Sequence, residues 1–112
     1  MNHFNALPEF EKEFKRLSKK YKTLDDDFEK FKNVLLAAPT GVGKNFVIIH
    51  STEAITIVKA RMACRALRDR SLRVIYAYRE SIKTIDFIEI YFKGEKENED
   101  RERIKKYLET AS

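Results

Sequence analysis

The sequence predicts an α+β domain in which a helical hairpin packs on one face of a small, mainly antiparallel sheet, followed by a C-terminal helix. Apolar residues first recur at helical spacing, and β-branched and aromatic residues then occur in short runs between polar turns. The 112 residues, 43% of them hydrophobic, suffice for one core, so we expect residues 1–112 to form a single domain. Cys64 is the only cysteine, which excludes a disulfide within the chain.

Two apolar stripes predict the helical hairpin. The first follows Pro8, a favourable first-turn residue, and consists of Phe10, Phe14, Leu17 and Tyr21. Thr23 precedes a run of aspartates and predicts the N-terminal cap of a second helix. The stripe of this second helix consists of Leu24, Phe28, Phe31 and Leu35.

The remaining elements are predicted to be strands and one final helix. The apolar runs that predict an antiparallel meander are residues 46–49, 55–64, 72–78 and 85–92. Asn98 is expected to cap the last helix, with Glu99 and Asp100 in its first turn. Its apolar side consists of Ile104, Tyr107 and Leu108.

Residues 38–45 resemble the phosphate-binding loop G-x-x-x-x-G-K-[ST], but the match is incomplete. Ala38 replaces the first glycine, and Asn45 replaces the hydroxyl that would hold magnesium. The following residues 46–49 favour a strand, whereas phosphate binding needs a helix N-terminus there. We therefore predict a helix-to-strand turn and no nucleotide bound at Lys44.

Positive charge is concentrated in the middle of a chain whose net charge is +5. Between residues 59 and 79 a single acid, Asp69, accompanies seven cations: Lys59, Arg61, Arg65, Arg68, Arg70, Arg73 and Arg79. Such a segment predicts a polyanionic partner, most simply nucleic acid, with a solvated basic face as the alternative. The apolar runs are too short for a membrane helix, so we expect a cytoplasmic protein without a membrane partner.

Strand alternation predicts that three of these cations lie close together. Lys59 and Arg61 share one face of their strand, opposite an apolar set of Val58, Ala60, Met62 and Cys64. Arg73 lies opposite the next apolar set, which consists of Leu72, Val74, Tyr76 and Tyr78. If both apolar sets pack under the helices, the three cations converge on the exposed face of the sheet. Their mutual repulsion requires a compensating anion, and a phosphate backbone would supply it.

The order of these segments resembles the RelE/ParE toxin superfamily of bacterial toxin-antitoxin modules, and its mRNA-cleaving RelE-like branch in particular. The pieces that carry the resemblance cover nearly the whole chain and are residues 10–37, 58–61, 72–76, 87–93 and 95–107. The resemblance implies a sheet packed on a helical hairpin and a cleft for mRNA, usually in the ribosomal decoding site. It also implies an antitoxin that blocks this cleft.

The resemblance also implies active-site residues. In RelE-like toxins the Lys-x-Arg strand and the arginine of the Leu-Arg-x-x-Tyr strand are active-site positions, which match Lys59, Arg61 and Arg73. A basic residue and a late tyrosine that some relatives place after the last strand have no clear counterpart. Lys93 or Lys96 could replace the first, and Asp100 lies near the second. The cations predicted to contact RNA are Arg65, Arg68, Arg70, Arg79 and Lys96.

RNA cleavage without a metal needs a base for the 2′-hydroxyl, cations for the phosphorane and an acid for the leaving 5′-oxygen. Neighbouring cations lower the pKa of a lysine, so Lys59 is the predicted base and Glu89 an alternative. Arg61 and Arg73 are predicted to stabilise the phosphate, and Lys93 to donate a proton or add charge stabilisation.

Other candidate residues have simpler interpretations. His50 is either an acid-base group or a structural residue at a strand end, and Tyr91 either stacks on a base or fills the core. Cys64 is predicted to be an inert buried thiol. No cysteine and histidine spacing matches a metal site, so neither metal nor cofactor is predicted.

Two functions therefore compete at this point. The first is a ribonuclease toxin whose partners are mRNA, the ribosome and a cognate antitoxin. The second is a non-catalytic ParE-like or binding-only relative that inhibits a target such as DNA gyrase. The cations at Lys59, Arg61 and Arg73 favour the first.

Overall fold

The computed structural model describes residues 3–68 and 70–111 and places five strands in one sheet. The elements in chain order are β1 (His3–Ala6), α1 (Pro8–Lys20), α2 (Leu24–Ala37), β2 (Phe46–Ser51), β3 (Thr56–Ala63), β4 (Ser71–Arg79), β5 (Thr84–Phe92) and α3 (Arg101–Ala111). The strand order is β1-β5-β4-β3-β2, in which β1 is parallel to β5 and the other pairs are antiparallel. Among the described residues, no helix is long and apolar enough to cross a bilayer.

Helices α1 and α2 pack on one face of this sheet, as the two stripes predict. Leu17, Leu24 and Leu35 are fully buried there. They meet the strand residues expected on this face, including Val58, Met62, Leu72, Val74 and Tyr76. The aromatic rings of Phe10, Phe28 and Phe87 pack together at centroid distances of 4.9–5.7 Å. The predicted alternation of apolar side chains along β3 and β4 is therefore confirmed.

The opposite face of the sheet is not fully exposed, because α3 covers one end of it. Ile104 and Tyr107 of α3 pack against strand residues in a second apolar cluster, which includes Ile57, Ile75, Ala77, Ile88 and Tyr91. Lys59 and Arg73 lie farther along this face and are only half-buried. The cations therefore lie beside a helix rather than on an open sheet surface.

The first predicted N-terminal cap is confirmed in position and the second is wrong. Thr23 precedes α2 as predicted, but its hydroxyl donates to the Asp27 carboxylate at 2.8 Å and makes no side-chain cap to a backbone amide of the first turn. Helix α3 begins at Arg101, and the Asp100 carboxylate accepts the amide of Arg103 at 3.0 Å. Asp100 thus occupies the capping position that the sequence assigned to Asn98, and Glu99 lies before the helix.

Candidate functional site

A cleft of about 300 Å³ opens on the face of the sheet that carries α3. The residues that line it, here called the basic cleft, are Lys44, Asn45, Val47, Ile49, Lys59, Arg61, Arg73, Lys93 and Glu99. All four predicted catalytic residues are among them, contributed by β3, β4 and the end of β5. Five cations face one carboxylate in this cleft, so its lining suits an anion.

Arg61 and Arg73 form the centre of this charge because they are directly opposite each other in the β3–β4 register. Arg73 donates to the Ser71 hydroxyl at 2.7 Å. Burial and the charge of Arg61 hold the pKa of Arg73 below its ordinary value. Neither arginine forms a salt bridge with a carboxylate of residues 3–68 or 70–111. Two arginines at paired register positions, without a described carboxylate partner, suit a phosphate, whose oxygens accept hydrogen bonds from guanidinium groups.

Lys59 differs from the two arginines because it forms a salt bridge with a carboxylate. Its ammonium donates to Glu99 at 2.9 Å, and the two side chains are 27% and 10% exposed. The hydrogen bond to Glu99 raises the pKa of Lys59 against the opposing effect of burial. The expectation of a lowered pKa is therefore wrong, because a carboxylate outweighs the neighbouring cations. Lys59 is a charged ammonium at neutral pH.

The segment that carries Glu99 is fastened to the sheet by a buried carboxylate. Glu89 is fully buried on β5, accepts the Asp100 amide at 2.7 Å and pairs with Lys96. Both interactions lie within four residues of Glu99, one on each side. Glu89, the alternative base of the sequence analysis, is thus shielded from solvent and holds this segment in place.

A second pair fastens the start of α3. Arg103 makes two parallel hydrogen bonds to Glu13 of α1, at 2.9 and 2.8 Å, and a third to the Ile88 carbonyl at 2.9 Å. These contacts with Glu13 raise the pKa of Arg103 above its ordinary value. Since Arg103 is separated from Glu13 by 90 residues, sequence patterning offered no signal for this contact.

Arg65, a predicted RNA contact, lies outside the basic cleft. It forms ion pairs with Asp26 and Asp27, and these three residues are here called the Arg65 corner. Its guanidinium and backbone amide each donate to Asp27 at 2.9 Å, and Asp26 is 3.6 Å away. Burial would raise the pKa of Asp27, but the donors from Arg65 and Thr23 lower it below its ordinary value. The charge of Arg65 is therefore compensated within the protein.

The other predicted RNA contacts are also not brought into the basic cleft. Arg68 is exposed in the turn before β4, and the Arg70 guanidinium lies 5.8 Å from the Phe92 ring centre. Arg79 lies at the far end of β4, 3.9 Å from Asp86 and 3.4 Å from the Ala111 carbonyl. Lys96 is paired with Glu89. Contact of these four cations, and of Arg65, with RNA stays a prediction.

The glycine-containing loop contributes to the site although strand alternation could not place it there. Gly41 has a φ of +78°, and a Cβ there would lie 2.0 Å from the Phe46 ring, so only glycine fits. Strand β2 follows the loop, as predicted. The Asn45 carbonyl accepts the Arg61 amide at 2.9 Å, which anchors the loop to β3. Lys44 thereby lines the basic cleft, a position that its conspicuous motif could have suggested.

Three further candidates are placed as follows. His50 is exposed and lines a neighbouring cleft of about 490 Å³ with Ile49, Glu99, Arg101 and Ile104. Tyr91 is buried beneath α3, in agreement with a role in the core. Cys64 is fully buried, as expected for a thiol that packs as an apolar group. Within residues 3–68 and 70–111, no three histidine, cysteine or acidic side chains are grouped as metal ligands.

Comparisons with known proteins relate the chain to solved structures through its fold. No family model and no curated protein matches the sequence. One chain of the crystal structure of the archaeal RelE–RelB complex from Pyrococcus horikoshii OT3 superposes with a TM-score of 0.63 at 21% identity. The match covers 83% of this protein and 96% of that chain. The protein therefore has the RelE-like fold that its sequence predicts.

Proposed function

We propose that the protein is the toxin of a toxin-antitoxin module and that it cleaves mRNA, on the ribosome, through attack of a 2′-hydroxyl. The observation that carries the proposal is the basic cleft, where Arg61 and Arg73 lie opposite each other without a described carboxylate partner. A phosphodiester flanked by riboses is the anion that this chemistry requires.

The proposed reaction uses the charges of the cleft around one phosphate. The 2′-oxygen attacks the adjacent phosphorus, a P–O bond forms, and the bond to the 5′-oxygen breaks to leave a 2′,3′-cyclic phosphate. Arg61 and Arg73 donate to the non-bridging oxygens, where negative charge builds up in the transition state. The Lys59 ammonium adds positive charge, and Lys93 gives a proton to the departing 5′-oxygen.

The same charge distribution supports the proposal of an antitoxin partner. A cleft lined by five cations and a single carboxylate would be blocked by an acidic segment of a partner protein. A solved chain with this fold comes from a complex of RelE with RelB. We propose that a cognate antitoxin covers the basic cleft and that the active toxin works in the cytoplasm, where mRNA is translated.

The test is expression of the chain without an antitoxin, with Arg73→Ala as the variant. The parent should stop growth and cut mRNA at sites that primer extension maps. Loss of one preorganised charge should slow cleavage by about 10²-fold to 10³-fold and relieve the growth arrest. Arg73 lines the cleft and is only half-buried, so its truncation opens no core cavity and the melting temperature should hardly change.

Arg16→Ala is the matched control, because it removes an exposed arginine of α1 that lies outside the cleft and among none of the predicted RNA contacts. It should leave both cleavage and growth arrest as in the parent. Growth arrest with intact mRNA and inhibited gyrase would contradict the nuclease proposal and favour the ParE-like alternative. Equal toxicity of the parent and a folded Arg73→Ala variant would contradict the assigned site.

A further inference from the structure

Glu99 is the one carboxylate among the described residues that line the basic cleft. Its side chain is 10% exposed and lies 2.9 Å from the Lys59 ammonium, at the boundary with the second cleft that His50 lines. We infer that Glu99 is the general base that takes the proton from the attacking 2′-hydroxyl, an inference that rests on the proposed RNA cleavage. Strand alternation gives no signal for this residue, which lies after the last strand.

The position of Glu99 is fixed by contacts of the residues on either side of it. Residues 96 and 100, on either side of it, are both bound to the fully buried Glu89 carboxylate. Arg103 fastens the following helix turn to α1 and β5. A charged group held in this way loses little orientational freedom when substrate binds, which is what a general base needs.

The chemistry of the cleft favours Glu99 over Lys59 as the proton acceptor. Lys59 is an ammonium with a raised pKa, so it has no lone pair to accept a proton near neutral pH. Burial alone would raise the pKa of Glu99, but the hydrogen bond from Lys59 lowers it below its ordinary value of 4.5. Glu99 is therefore an ionised carboxylate at neutral pH, with Lys59 at 2.9 Å and Arg101 at 3.8 Å as its neighbouring cations.

The proton balance of the step is simple. The 2′-hydroxyl proton moves to a Glu99 carboxylate oxygen while the 2′-oxygen forms its bond to phosphorus. The 5′-oxygen leaves with a proton from Lys93. Solvent then restores the Glu99 carboxylate and the Lys93 ammonium, so no metal or second substrate enters the reaction.

The first experiment replaces Glu99 by glutamine and measures single-turnover cleavage of the mapped mRNA on ribosomes. The rate should fall by about 10²-fold to 10⁴-fold, the usual range for loss of a general base. Binding of the same RNA with a 2′-deoxynucleotide at the cleavage site should be unchanged or tighter, because the cleft loses a negative charge. Glu97→Gln, an exposed neighbour in the same segment, is the control and should behave as the parent.

The pH dependence of cleavage separates the two candidate bases. With Glu99 as the base, the parent rate should be level between pH 6 and pH 9, because the carboxylate is ionised throughout. With Lys59 as the base, the rate would rise about tenfold per pH unit over this range. A rising profile in the parent would overturn the inference.

Chemical rescue provides a readout that a merely structural role of Glu99 would not move. Glu99→Ala should be inactive, and added formate should restore part of its cleavage rate by taking the place of the carboxylate. Formate should not change the rate of the Arg73→Ala variant. Absence of rescue in a Glu99→Ala variant that melts like the parent and binds the 2′-deoxy RNA would overturn the inference.

The remaining outcomes distinguish the inference from the proposed function. A Glu99→Gln variant that cleaves RNA at the parent rate would overturn the role of Glu99 and leave the nuclease proposal intact. Faster cleavage in Glu99→Gln would show instead that the carboxylate obstructs the phosphate site. Loss of cleavage in His50→Gln, with Glu99→Gln active, would assign the proton transfer to His50. A parent that binds but never cuts RNA would overturn both proposals.

Discussion

Arg61 and Arg65 are four residues apart, yet they lie in opposite electrostatic surroundings. Arg61 lines the basic cleft without a described carboxylate partner, whereas Arg65 donates to the buried Asp27 and lies near Asp26. The carboxylates of the second pair come from α2, which packs on the other face of the sheet. A run of cations in the sequence therefore contains both structural and available charges, and packing decides which is which.

Alanine at each of these two positions tests the difference most strongly. Arg61→Ala should slow RNA cleavage by about 10²-fold to 10³-fold at an unchanged melting temperature, because it removes charge from the cleft. Arg65→Ala should slow cleavage far less than Arg61→Ala does when folded, but it should lose about 1–3 kcal/mol of unfolding free energy, because Asp27 loses a charged donor. Single-turnover cleavage and urea denaturation measure the two effects. Equal responses of the two variants would refute the distinction.

Asp27→Asn tests the same comparison of Arg61 with Arg65 by changing the carboxylate that binds Arg65. The carboxylate is 5% exposed and accepts two donors from Arg65, so the variant should lose about 1–3 kcal/mol of unfolding free energy at pH 7. The folded pKa of Asp27 lies below its ordinary value of 3.8. Its contribution is therefore present above about pH 4 and lost as the pH falls through the folded pKa.

Urea denaturation at pH 7, 4 and 3 checks this assignment. The stability difference between the parent and Asp27→Asn should shrink as the pH falls. A difference that stays constant over this range would show that the Asp27 charge does not stabilise the Arg65 corner.

Lys44→Ala should have the smallest effect. Lys44 is an exposed, flexible cation at the wall of the cleft, so its loss should weaken RNA binding only a few-fold and reduce the salt dependence by about one phosphate contact. Lys30→Ala, exposed on α2, is the control and should change neither quantity. Salt titrations of RNA affinity measure both variants. Saturable ATP or GTP binding that Lys44→Ala abolishes would contradict the assignment of this loop.

Much of the fold could be predicted from local periodicity. The stripe of Leu24, Phe31 and Leu35 has the 3.6-residue period of a helix with one buried face, and these residues are buried in the structure. Val74 and Ile75 lie on opposite faces of β4 because alternation in a strand is geometric. Cap details could not be predicted, because the Thr23 hydroxyl binds a carboxylate that only tertiary packing brings to it.

The part of the candidate site that lies on β3 and β4 could be predicted from the sequence. Lys59, Arg61 and Arg73 lie on one face because side chains alternate along β3 and β4, and this holds whatever else the chain does. Side-chain alternation predicts nothing for the loop before β2 or for the segment between β5 and α3. It therefore does not place Lys44 or Glu99 in the site. Both reach the cleft through contacts between residues far apart in the chain.

The sequence by itself thus determined the element types and the face of the sheet that carries the cations, because these depend on periods of two and 3.6 residues. The RelE-like architecture was implied by the resemblance in the order of the segments. Only the tertiary structure decided the charge state and availability of each cation, since both depend on which carboxylate lies within a few ångströms. Lys59 illustrates this division: alternation places it in the cleft, and Glu99, 40 residues away, reverses the expected direction of its pKa shift.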